Sequence, residues 1–493
     1  MSNISNILKE RNSITLTENR AKAYKSTNSR CLDLFFAIGS MKNNVYLNEE
    51  KYESDLINLI DSAYQENSDL TEKIIAWSRD IREGSGARFP IMTFMKMLVT
   101  NDLFKLSDYT LNKIVDLGYY KDVFNIYNTE NITNSNKQKI LEWCKNEINK
   151  NNPNKIGLFS KWFPRKDKLF YDLCKYMKWN YSKLRKFISS NTKVVESQMC
   201  RNEWDSINFE NVPSIAMNRY SYTFSTKSKT YSEYLELVKN GKAKINTTAL
   251  TPVDLTLKAI KSSMDSYNYT KDVKESLNVL WNSLSNDFMP NKDMLFLPVA
   301  DVSGSMETPG YIPMSASVGL SYYLSQRNPG IWKNTIITFS SEPTIIDLPD
   351  NIEFTEAVYK IMKAEWGYST DINKVFELLL NMTKSFSNTD ITMPTHIIVL
   401  SDMQFNENEK DSGKTNFEYW KSEYSKLGFK LPKIIFWNLN PHNNFPAKNT
   451  DDVLMVSGYS TKILNDLFNN ADIDSMQLML DAVDKEKYVL FEK

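Results

Sequence analysis

The sequence predicts an all-helical amino-terminal region joined to a doubly wound α/β domain, and three observations carry that expectation. Across 31–290 apolar residues recur at helical spacing, and from about 291 short apolar runs of strand character alternate with helical segments. The third observation is charge. Residues 1–290 hold 42 Lys+Arg against 33 Asp+Glu, about +9. By difference from 60 and 60, residues 291–493 hold 18 against 27, about −9, so a formal net charge of zero hides two electrostatically unlike halves. With only 14 glycines and 16 prolines in 493 residues, helix is favoured over tight hairpins.

Taken in order, residues 1–30 form a polar segment without the apolar core of a secretion signal. No run of about 18 uninterrupted apolar residues follows anywhere, so the expectation is an intracellular protein that neither spans nor contacts a membrane. Cys31, Cys144, Cys174 and Cys200 are widely spaced with no CxxC pair, which reads as free thiols in a reducing compartment. The two histidines, His396 in a strand-like run and His442 in a loop, leave no basis for histidine-centred chemistry. His396 reads as a core residue.

The region 31–290 is expected to be helical and net basic. Asp55 to Tyr64 and Leu70 to Ile81 show the i, i+3, i+4 habit, continued by Phe94 to Leu98, Leu111 to Val115, Val123 to Tyr127 and Ile140 to Ile148. Stacked helix pairs of this kind build curved arrays, although no fixed-period repeat is visible. Arg79 to Arg88 (RDIREGSGAR) ends a helix in a glycine-containing basic loop, suited to a cap or to a phosphate, with the cap favoured. Asp116 and Asp122, around Gly118-Tyr119-Tyr120, read as helix-start acids. Lys155 to Lys193 holds 11 basic and 2 acidic residues. There Lys161-Trp162-Phe163-Pro164-Arg165-Lys166 interleaves cations with aromatics, which can stack bases and neutralise phosphates or bury a Trp beneath basic stems. Lys161, Arg165, Lys166, Lys183, Arg185 and Lys186 are the candidate nucleic-acid contacts. Residues 191–246 read as an irregular connection. Thr251 to Ser285 returns to helix with Leu255, Ile260, Met264, Leu277, Leu280, Trp281 and Leu284 as core, and 286–293 is the boundary.

Within 291–493, strands are expected near 295–300, 333–339, 395–400, 432–438 and 452–456. Helices are expected near 313–326, 354–364, 370–382, 414–426, 460–468 and 474–484. The first strand runs into Asp301-Val302-Ser303-Gly304-Ser305. A carboxylate and two hydroxyls alternating over five residues can converge on a hard cation, although such clusters also make ordinary turns. Two later stretches favour the cation: Gly367-Tyr368-Ser369-Thr370-Asp371 just before a helix, and His396 to Asp402, a strand ending in an acid at the same sheet edge.

These three pieces resemble the metal-ion-dependent adhesion site (MIDAS) of von Willebrand factor A (vWA) domains. The resemblance implies that Ser303, Ser305 and Thr370 are inner ligands of Mg²⁺, or Mn²⁺ or Ca²⁺, and that Asp301 and Asp402 act through water. It also implies a coordination position left open for an acidic residue of a protein partner. Ser401-Asp402-Met403 stands where many members have Thr-Asp-Gly, which puts the shape of that loop in question.

A second resemblance covers most of the chain, from about Cys31 to Leu490. RDIREGSGAR, LGYYKDV, LFSKWFPRKDK, the run from KLRKFISS to NVPSIA, VKNGKAKIN and the later Val456-Ser457-Gly458-Tyr459-Ser460 are similar to the domain-of-unknown-function 2828 family, which pairs a helical region with a vWA domain. In layout the chain also resembles, more distantly, the Ro autoantigen or TROVE proteins, whose HEAT-like helical ring precedes a vWA domain and binds small structured RNAs. The expectation is therefore a non-enzymatic, metal-dependent interaction protein without a small-molecule substrate, the alternative being a Ro-like RNA-binding protein. A Mg²⁺-dependent phosphohydrolase is disfavoured because the loops pair no nucleophile with a base.

Overall fold

The computed structural model describes residues 13–39, 41, 50–150, 152–192, 194–265, 269–284, 294–339, 342–364, 370–408, 410, 414–440, 445–447, 453–459, 463, 467 and 474–492. A short antiparallel hairpin, β1 (Ile14–Leu16) and β2 (Lys22–Tyr24), precedes the helices. These begin with α1 (Arg30–Ile38), α2 (Glu50–Glu66), α3 (Ser68–Arg79), α4 (Phe89–Val99) and α5 (Asp108–Leu117). They continue as α6 (Tyr120–Tyr127), α7 (Asn134–Asn149), α8 (Pro153–Trp162), α9 (Lys168–Met177) and α10 (Tyr181–Asn191). The starts are written in the sequence: Ser29, Asn67, Ser107, Thr133, Asp167 and Asn180 each accept a backbone N–H of the first turn.

Residues 191–246 differ from expectation. They fold largely as α11 (Val195–Cys200), α12 (Ser214–Lys227) and α13 (Thr230–Lys239). The sequence SIAMNRYSYTFSTK of α12 has no clear apolar stripe, so its helix rests on tertiary packing: the Phe224 ring lies 5.3 Å from Phe209 and 5.6 Å from Tyr231. The expected helix from Thr251 is two, α14 (Pro252–Met264) and α15 (Lys271–Asn282). Six of its seven expected core residues are buried, but Met264, in the last turn of α14, is 55% exposed. The boundary expected at 286–293 lies outside the described residues.

The second half is a six-stranded, mostly parallel sheet. Its strands are β3 (Phe296–Asp301), β4 (Thr335–Phe339), β5 (Thr344–Asp347), β6 (His396–Ser401), β7 (Lys433–Asn438) and β8 (Val453–Ser457), in the order β5-β4-β3-β6-β7-β8. Only β5 is antiparallel to its neighbour. The two central strands, β3 and β6, are buried at every residue, as continuous apolar runs covered on both faces should be. Around the sheet lie α16 (Ile312–Ser325), α17 (Phe354–Met362), α18 (Ile372–Phe386), α19 (Asn416–Lys426) and α20 (Ser475–Val483). His442 and most of the helix expected at 460–468 fall outside the described residues.

The two halves meet closely. α16 is buried along its whole length between the sheet and α14. A Cβ at Gly319 would lie 2.5 Å from Thr256 Oγ1 and 3.0 Å from the Pro252 carbonyl, so only glycine allows this approach. The chain ends also cross over. Thr17 Oγ1 donates to the Phe405 carbonyl (2.7 Å), Asn19 Nδ2 to that of Gln404 (2.7 Å) and the Tyr24 hydroxyl to Glu418 (2.5 Å), which fixes the hairpin on the α/β half. In the other direction, Lys487 bridges Asp80 (3.0 Å) and Glu83 in the helical half. The Tyr488 hydroxyl donates to Asp80 (3.1 Å), and Phe491 packs on Phe104 at 5.5 Å. Burial alone would raise the Asp80 carboxyl. The Arg82 amide and Lys487 outweigh it and hold the group below the usual carboxylate range.

Candidate metal centre

Register builds the centre. β3 and β6 run parallel with Ala300 opposite Leu400, so their carboxyl ends deliver Asp301 and Ser401 side by side, with Asp402 one residue on. Asp301 is fully buried: one oxygen accepts the Ser303 N–H (3.0 Å), the other the Ser401 hydroxyl (2.6 Å). Asp402 is buried as well. Its Oδ1 accepts the Gln404 N–H (3.1 Å), while its Oδ2 is shielded from solvent with no hydrogen-bond partner among the described residues. Ser303 is buried and Ser305 exposed, their hydroxyls 3.2 Å apart. Thr370 is buried and tied to the loop after Asp402, donating its N–H to Asn406 Oδ1 (3.3 Å) and accepting the Asn406 N–H (2.9 Å) on its carbonyl. Gly367, Tyr368 and Ser369 lie outside the described residues.

The electrostatics are unbalanced. Burial first, and the charge of Asp402 second, push the Asp301 carboxyl up to about 7 against the pull of the Ser303 and Ser401 hydrogen bonds. Two adjacent buried carboxylates with only neutral donors beside them call for a cation or a proton. Among the described residues no group of three or more His, Cys, Asp or Glu could hold a metal ion. A cation at this edge would therefore rest on two carboxylates and the hydroxyls of Ser303, Ser305 and Thr370. That all-oxygen set fits a hard ion that keeps its waters, such as Mg²⁺, and the bare Asp402 oxygen would face it.

Sequence reasoning missed two residues that assemble this edge. Ser401 ties β6 to β3 through Asp301, and it could have been read as the residue opposite Asp301 once the strands were paired. Asn406 ties the Thr370 loop to the Asp402 loop, and no sequence signal announces it. Met403, at the position flagged as a departure, adopts a left-handed backbone (φ 63°) that glycine would enter without cost. It is held there by a hydrogen bond from its N–H to Ser401 Oγ (3.1 Å) and by burial of its side chain.

The basic candidates do not form one cluster. Arg165, Lys166, Lys183, Arg185 and Lys186 are exposed, with Lys183 over the Trp179 ring (4.4 Å) and Arg185 over Phe170 (5.4 Å). Lys161 is instead half-buried, 3.7 Å from Glu196, at the wall of a cleft of about 830 Å³ that also receives Arg82, Trp162 and Arg219. The glycine-containing loop is a cap. The amides of Arg82 and Glu83 are spent on the Asp80 carboxylate, and those of Gly84 and Gly86 on its carbonyl. Asp122 closes a capping box at the start of α6 and also pairs with buried Arg79 and Arg88, each at 2.7 Å. Asp116, expected at that helix start, sits in the last turn of α5 instead.

The chain matches the family described as Domain of unknown function (DUF2828) over residues 17–157 and 164–291. It matches a second, Domain of unknown function (DUF7788), over 296–491. A relative, "Uncharacterized protein L728" of Acanthamoeba polyphaga mimivirus, is 25% identical over 528 aligned positions, covering 97% of this chain and 88% of that protein.

Proposed function

We propose, for a chain that belongs to the DUF2828 family, a non-enzymatic adaptor whose α/β half is of the vWA kind and whose metal-ion-dependent adhesion site holds an acidic group of a partner protein. One observation carries the reading: Asp301 and Asp402 are buried together and, among the described residues, one Asp402 oxygen has no hydrogen-bond partner and the groups bonded to the two carboxylates are neutral. Ser303, Ser305 and Thr370 would hold Mg²⁺, Mn²⁺ or Ca²⁺, with Asp301 and Asp402 supporting it through water. The bound cation supplies a Lewis-acidic position for a carboxylate from outside. Ser401 and Asn406 keep the three loops in place. The hydroxyl and carboxylate that pair at this edge, Ser401 with Asp301 at 2.6 Å, are both fully buried, which favours binding over turnover.

Titration calorimetry with Mg²⁺ and Mn²⁺ tests the site. The wild-type chain is expected to bind, and Ser303→Ala combined with Thr370→Ala to lose binding with an unchanged circular dichroism spectrum, since both substitutions keep the backbone hydrogen bonds that tie the loops to Asp301 and Asn406. Unchanged binding in that variant would show the ligand assignment to be wrong. Purification from the native setting with Mg²⁺ or with EDTA then tests the adaptor role. A protein partner that leaves with EDTA is expected; identical partners in both preparations would count against it.

A further inference from the structure

The helical half carries a charged face that the metal centre does not use. Only two acids, Asp167 and Asp172, fall between Lys155 and Lys193, and both are engaged by the fold. Asp167 caps α9 through the Phe170 N–H (2.9 Å) and accepts Asn128 Nδ2 (3.0 Å), while Asp172 accepts the Tyr127 hydroxyl (2.7 Å). Among the described cations of this stretch, Lys161 alone is ion-paired. The rest stand in solvent without a counter-charge.

Their arrangement is regular. Lys168, Tyr171 and Lys175 follow one another at i, i+3 and i+7 along α9, which puts them on one face, and all three are exposed. From α10, Tyr181 meets Tyr171 edge to face with ring centroids 5.2 Å apart. Arg185 lies over the Phe170 ring behind them. Tyr171 is 42% and Tyr181 51% exposed, so part of each ring is open to a stacking partner. Lys137 of α7 crowds the same cluster: burial first, and the Lys168 charge second, hold its ammonium below the ordinary value.

We propose that this face of α9 and α10 binds single-stranded nucleic acid, with phosphates on Lys168, Lys175 and Arg185 and unpaired bases stacked on Tyr171 and Tyr181. Cations in a row match the phosphate backbone, and the tyrosines match exposed base faces that a duplex keeps hidden. The inference is independent of the metal centre. It also moves the contact away from Lys161, whose charge is met by Glu196.

The test is fluorescence anisotropy with the full chain and a labelled oligonucleotide of about 12 nucleotides, within the site sizes usual for such grooves. Single-stranded RNA and DNA of one sequence, the corresponding duplex, anionic phospholipid vesicles and poly-glutamate form the other arms. Binding of single strands over duplex is expected, weakened at least about tenfold by Tyr171→Ala with Tyr181→Ala. Lys168→Gln with Lys175→Gln should lower the slope of log affinity against log salt by about 1.4. All four positions are exposed, so melting curves should be unchanged. Lys360→Glu with Lys384→Glu, on the acidic half, should leave affinity as it is. RNA binding without DNA binding would add a 2′-hydroxyl contact to the proposal. Equal affinity for duplex with no effect of the tyrosines, preferential binding of vesicles or poly-glutamate, or no binding at all would each overturn it.

Discussion

At the carboxyl edge of the sheet two carboxylates are buried with only hydroxyls and amides beside them among the described residues, whereas on α9 and α10 exposed cations stand in water, the neighbouring acids Asp167 and Asp172 being engaged by Asn128 and Tyr127. The difference is one of solvent. A buried charge without compensation is expensive, and the proposed metal site would supply the Asp301–Asp402 edge with a counter-ion at a fixed point. An exposed cation costs little, and the strand proposed for the helical face would be extended, anionic and held in a salt-sensitive way. A third cluster calibrates the other two. Arg79, Asp122 and Arg88 are as buried as the metal edge, but there two guanidinium groups share one carboxylate within the fold, with the Tyr119 ring 5.0 and 5.2 Å from the two guanidinium carbons.

The largest expected effect comes from breaking that ion-paired cluster. Asp122→Ala strands two buried guanidinium groups and removes the α6 cap, and it should lower stability in urea by about 3–5 kcal/mol. A loss below about 1 kcal/mol would mean that burial does not set the cost of charge here, and the contrast between the two regions would fail.

A smaller effect is expected where charge is half-buried between the two halves. Lys487→Ala removes an ammonium from Asp80 and Glu83 and should cost about 1 kcal/mol at neutral pH. The Asp80 carboxyl is depressed in the folded state, so its contribution is present above the ordinary value of 3.8 and disappears as pH falls through the lower folded value. Urea titrations of wild type and variant should therefore differ above about pH 4 and converge in stronger acid. A gap that persists in acid would assign the loss to packing alone.

Much of this was legible in the sequence. The five parallel strands lie within two residues of the expected ranges, because each is a short segment dominated by apolar residues. The edge strand β5 escaped notice: TIID is four residues long, alternates between half-buried and exposed, and carries no core signal. α12 escaped because its surface is mostly hydroxyl and aromatic, so its helix is decided by Phe209 and Tyr231 and not by its own pattern. The crossing, with Thr17 and Asn19 on the Phe405 loop and Lys487 on Asp80, joins residues 385 to 407 positions apart, beyond any local signal. At the site, Asp301 beside Asp402 was readable from strand alternation. The role of Asn406 was not, since it depends on which loop lies next to Thr370.

The most direct test of the account is thermal unfolding of the intact chain and of Asp402→Asn, each in EDTA and in excess Mg²⁺. Asparagine keeps the acceptor for the Gln404 amide and removes the uncompensated charge. The account predicts that in EDTA the variant melts at or above the wild-type temperature. Mg²⁺ should raise only the wild type, by about 2.7 kcal/mol of stability at a hundredfold excess over Kd. A variant that melts well below wild type in EDTA, together with a wild type indifferent to Mg²⁺, would contradict a cation-holding edge and return Asp301 and Asp402 to the core as structural residues.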